Sequence, residues 1–131
     1  MLEAGAVYSY SFLWPREADA SEESGRKSRP ACLLIRPSIA PDILYMFAIT
    51  SRPPGTDRIA EMLPAAECIR CGLREPAWIV LDEYNISLAS ATHDFASLQP
   101  IGRLSAKFVK SLAQTAMLLA KAGRTRGVLR T

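Results

Sequence analysis

Histidine is almost absent from this chain: His93 is the only one in 131 residues. It lies in a featureless stretch with no partner in view and reads as a surface residue, not an acid–base catalyst. Cysteine is scarce and odd in number, at three, which argues against a closed disulfide framework. Cys68-x-x-Cys71 alone does not make a zinc site, because two further ligands would have to come from Cys32 and His93. Cys32 sits inside an apolar run and reads as a core thiol. No metal or other cofactor is expected. No apolar run approaches the ~20 residues that span a bilayer, so no membrane partner is expected either. Met1-Leu2-Glu3 lacks the basic opening of a secretory signal, and a cytoplasmic protein is the expectation. A large charge excess is missing too: a net charge of +3 permits a nucleic-acid partner without requiring one.

What is present is a globular composition. Hydrophobic residues make up 49% of the chain, too many for a disordered one, and the length suits a single core. Tyr8, Tyr10, Phe12 and Trp14 alternate with Val7, Ser9, Ser11 and Leu13, the period of a half-buried strand that Pro15 ends. Aromatics in such alternation are core more often than base-stacking platforms. Residues 16–28 carry charge and small residues without apolar periodicity, so a long exposed loop is expected. Residues 31–36 and 43–50 are continuous apolar runs, read as strands buried on both sides. Arg52-Pro53-Pro54-Gly55 must be a loop, and residues 59–63 suit a short strand. Pro64 opens a helical turn that Gly72 stops. Trp78-Ile79-Val80-Leu81 is a further strand, and it delivers Asp82, Glu83 and Asn85 at its end. Ser105 is a natural N-cap for a helix whose stripe is Phe108, Leu112, Ala116 and Leu119, closed by Gly123. Short strands followed by one amphipathic helix give a mainly β fold with α, a small curled barrel capped by that helix. Residues 1–123 form one domain, and residues 124–131, with Arg124, Arg126 and Arg130, read as a basic, frayed and solvated tail.

The most informative stretch is Arg29-Pro30-Ala31, running into Cys32-Leu33-Leu34-Ile35. It sets a five-donor guanidinium at the mouth of an apolar strand, where a phosphate can be gripped. Around it stand, in order, Gly5-x-Val7-Tyr8, Ile49-Thr50-Ser51, Leu81-Asp82-Glu83 and Ile101-Gly102-Arg103-Leu104-Ser105. This ordered series, covering residues 5–109, resembles the PemK/MazF family of toxin endoribonucleases. The resemblance implies an SH3-like barrel with a terminal helix, a homodimer, a cognate antitoxin protein, and metal-independent cleavage of single-stranded RNA. In that reaction the ribose 2′-hydroxyl attacks the adjacent phosphate, leaving a cyclic phosphate and a free 5′-hydroxyl.

The resemblance makes Arg29 the donor to the non-bridging oxygens, where charge builds in the transition state. Thr50 and Ser51 add hydroxyl donors, and Asp82 or Glu83 is the general base. Strand alternation sends only one of those two acids into the groove. An acid followed by Gln, the family pattern, selects Asp82; an acid two residues before an Asn selects Glu83. Arg26, Lys27, Arg52 and Asn85 are the expected substrate contacts, Asn85 standing where many members carry an arginine. Glu17, Asp19, Glu22 and Glu23 would repel a phosphate backbone unless Arg16, Arg26 and Lys27 offset them. The alternative is a non-catalytic or degenerate relative, a protein- or RNA-binding module that includes toxins resembling the gyrase poisons.

Overall fold

The structure, a computed structural model, describes residues 2–19 and 28–130. Among the described residues eight strands and three helices follow one another as β1 (Ala6–Tyr10), α1 (Pro15–Asp19), β2 (Arg29–Ile35), β3 (Ile43–Thr50), β4 (Ala60–Met62), α2 (Ala65–Arg70), β5 (Trp78–Val80), β6 (Glu83–Leu88), β7 (Gly102–Arg103), α3 (Ala106–Lys121) and β8 (Arg126–Leu129). The fold is mostly β: a curled antiparallel sheet in the order β4-β5-β3-β2-β1-β7. The long strand β3 carries the curl. Its first half pairs with β6 (Ile43↔Leu88 to Met46↔Asn85), while its last two residues pair with β5 (Ile49↔Ile79, Thr50↔Trp78).

The continuous apolar runs behave as expected of strands covered on both faces. Period-two alternation sends Val7, Cys32, Leu34, Phe47 and Ile49 into one core, where α3 adds Leu112 and Ala116. Tyr8, Tyr10, Phe12, Leu33, Met46 and Ala48 enter a second core on the opposite face. The aromatic strand is therefore core. Phe95 meets Tyr8 and Tyr10 edge-on at 5.5 and 5.0 Å, and Phe12 meets Trp14 at 4.7 Å. Such pairs add ~0.5–1.5 kcal/mol each beyond the area they bury.

Helix α3 starts where the sequence places it. Ser105 Oγ accepts from the Phe108 N–H at 3.3 Å, and Glu67 of α2 holds both the Ser105 N–H (2.8 Å) and its hydroxyl (2.7 Å). Gly123, at φ +69°, ends it. Cys32, Cys68 and Cys71 are free thiols packed in the first core, and burial pushes Cys71 up to about 11. Among the described residues no group of three or more His, Cys, Asp and Glu side chains is placed to hold a metal ion. No described helix is long and apolar enough to cross a membrane.

Two expectations need correction. The segment after Pro15 is not all loop: α1 forms there, with proline at its first position, where a missing N–H costs nothing. The C-terminal tail is not frayed. Residues 126–129 form β8, parallel to β6, with Glu83↔Arg126 to Ile86↔Leu129 in register. Two non-local features hold it. A Cβ at Gly127 would come within 2.5 Å of the Tyr84 ring, so only glycine lets the strand sit this close. Arg130 is buried and bonds the buried Asp94 carboxylate at 2.6 Å.

Candidate functional site

Register brings the candidate residues together. In the β2–β3 pair Ala31 faces Ala48, so the same antiparallel register carried two residues further sets Arg29 level with Thr50. Tyr10 faces Arg29 on the other side, and Trp78 faces Thr50. Just past Tyr10 the chain turns through Trp14 into α1. The Trp14 carbonyl accepts from the N–H groups of Glu17 (2.9 Å) and Ala18 (3.0 Å), while Glu17 Oε1 reaches back to the Trp14 N–H at 3.0 Å. This is the carboxylate half of a capping box, three residues into the helix.

These strand ends and α1 wall a groove of about 670 Å³. Arg16, Arg29, Arg52 and Arg74 line it, along with Thr50, Ser51 and Trp14. Among the described residues Glu17 is the one carboxylate on its wall. Two of the guanidiniums lie over the same indole: Arg29 Cζ is 5.4 Å and Arg16 Cζ 5.5 Å from the Trp14 ring centroid. Each is attracted by the ring face, yet two like charges on one ring repel, and an anion between them relieves that repulsion. Arg29 Nε is buried and, among the described residues, has no hydrogen-bond partner. An orphaned buried donor of this kind is costly unless a ligand satisfies it.

Thr50 has a local task. Its hydroxyl oxygen accepts from the Arg52 N–H at 3.1 Å, a side-chain-to-backbone turn that presents Ser51 and Arg52, both exposed. Arg29, Thr50, Ser51 and Arg52 thus share one groove. Arg26 and Lys27 lie outside the described residues.

Asp82, Glu83 and Asn85 do not line this groove. The Asn85 side chain is fully buried: Oδ1 accepts from the Leu13 N–H at 2.9 Å and Nδ2 donates to the Leu13 carbonyl at 2.7 Å. This amide copies a strand ladder and fixes the residue before Trp14. Asn85 is therefore a clamp behind the groove wall, not a substrate contact. Glu83 is buried at the start of β6, with Oε2 3.4 Å from Arg58. Burial pushes its carboxyl above the usual carboxylate range; Arg58 opposes that shift and Asp82 adds to it. Asp82 is buried as well, and its Oδ1 has no hydrogen-bond partner among the described residues. The expected groove-facing acid is neither of these two.

Glu17 and Arg74 were not legible as groove residues. Glu17 carries a local signal, since Trp14-Pro15-x-Glu17 spells a helix start with an acid at the third position. Arg74 carries none, because its place depends on how the turn after α2 packs. A scan against protein-family models finds no match to this chain, and a search of the curated proteins finds none either.

Proposed function

We propose that this chain is a small SH3-like barrel of the PemK/MazF kind, the toxin component of a toxin–antitoxin pair, and that its Arg29 groove binds and cuts single-stranded RNA without a metal. The observation that carries this reading is the groove itself: four guanidiniums converge with Thr50 and Ser51 beside an indole, and one guanidinium nitrogen is buried without a partner. Phosphodiesters suit such a lining, because each guanidinium offers paired donors to paired oxygens. Single strands suit it better than a duplex, because unstacked bases can splay away from a backbone that the guanidiniums hold, or stack on an aromatic ring. Arg29 holds the non-bridging oxygens, with Thr50 and Ser51 as neutral neighbours, and the donors are fixed before charge develops.

Incubation of the purified protein with a long single-stranded RNA in excess chelator tests the reading. Discrete cuts ending in cyclic phosphate are expected. Intact RNA would reject the ribonuclease.

A second reading draws on the burial of Asp82 and Glu83. Without an acid from that strand end, the same groove serves a non-catalytic relative that binds RNA or an acidic protein segment. Binding of single-stranded RNA without cleavage, weakened by the Arg29→Ala change, would favour it.

A further inference from the structure

The acid that the strand end does not supply comes from α1. We propose that Glu17 is the general base of the cleavage reaction, an assignment that rests on the ribonuclease reading above. Three observations carry it. Glu17 is the one carboxylate on the groove wall among the described residues. Its backbone and Oε1 are both tied to Trp14, the residue whose ring lies under Arg16 and Arg29. Trp14 thus contacts the carboxylate through its backbone N–H and two guanidiniums through its ring, which sets a base beside a phosphate-binding pair. Finally, the cap accounts for only part of the charge. An ionised acceptor bonds the helix N-terminus more strongly than an amide oxygen, yet an anion among the four guanidiniums of the described groove wall weakens the binding of phosphate. A base for the reaction accounts for the rest.

In the step, Glu17 takes the proton of the ribose 2′-hydroxyl as O2′ bonds to phosphorus. The bond from phosphorus to the 5′-oxygen breaks, and that oxygen takes a proton from water. Glu17 then returns its proton to the hydroxide left behind. One 2′,3′-cyclic phosphate and one 5′-hydroxyl result, with no oxidant, reductant or metal consumed.

Glu17→Gln separates base from cap. Cleavage is measured on a single-stranded RNA, and affinity on the same sequence with 2′-deoxy sugars, which cannot be cut. The variant is expected to cut about 10²–10⁴-fold more slowly while binding as tightly as the wild type or more tightly. Glu17→Asp, which keeps a carboxylate on a shorter arm, is expected to cut at a rate between the two. Faster or unchanged cutting by Glu17→Gln beside an active wild type would overturn the base and leave the ribonuclease standing. So would a joint loss of binding and thermal stability in both variants, which would mark a purely structural residue. A wild type that cuts nothing would overturn both.

Discussion

Two regions of this molecule concentrate charge, and they solve it in opposite ways. At the start of β2 and the end of β3, four arginines share a groove with one glutamate among the described residues. Beside β6 and β8 two charge pairs lie at or under the surface: Glu83 with the half-buried Arg58, and Arg130 with Asp94. Both regions look alike in sequence, as charged residues at strand ends. The difference lies in what reaches them from elsewhere in the chain. Asp94 meets Arg130 from 36 positions away and consumes its charge; no acid of the described strands does the same for Arg29. Unmatched charge facing solvent is available for a ligand, whereas matched charge under the surface is spent on holding the fold.

Substitutions in the two regions should therefore fail in different ways. The largest effect on function is expected from Arg29→Ala, with cleavage slowed about 10²–10³-fold and little change in the melting temperature. Arg130→Ala is expected to do the reverse. It leaves Asp94 buried without its cation and should cost roughly 3–5 kcal/mol of stability, read by chemical denaturation, while the protein that stays folded keeps its RNA affinity. Asn85→Ala falls between the regions. It strands the Leu13 N–H and carbonyl, at about 1–3 kcal/mol, and loosens Trp14, so both stability and RNA affinity should drop.

The smallest effect is expected at Glu83. Its carboxyl is raised by burial, so the folded state holds that proton more tightly than the unfolded one. This contribution is fully present below the unfolded carboxylate range and is lost as pH rises through the raised folded value. In Glu83→Gln that segment of the stability–pH curve should flatten, and cleavage should not change. A loss of cleavage there would return the acid of β6 to the working site.

Much of the architecture was readable because it rests on local signals. The aromatic alternation of Tyr8, Tyr10 and Phe12 marks a strand, the runs from Ala31 and Ile43 mark strands covered on both faces, and Ser105 and Gly123 bracket α3. The convergence of Arg29 with Thr50 and Ser51 was readable for the same reason, since adjacent antiparallel strands put the start of one beside the end of the other. Pairings across long separations were not. Composition makes residues 124–131 a basic tail, and only the close approach of Gly127 to Tyr84 and of Arg130 to Asp94 makes part of it a strand. Asn85 looks like a polar strand end until Leu13, 72 positions away, takes both ends of its amide. Glu17 looks like one acid of a repelling loop until its cap fixes it on the groove wall.

The central claim is that the β2–β3 groove, and not the β6–β8 edge, meets the nucleic acid. Arginine side-chain Nε–H signals, assigned by single substitutions and followed while an uncleavable 2′-deoxy-substituted strand is titrated in, report on both regions at once. Arg16, Arg29, Arg52 and Arg74 are expected to shift together and saturate, with Arg29 moving furthest and Arg58 and Arg130 still. Shifts centred on Arg58 and Arg130, with the four groove signals unmoved, would contradict the account.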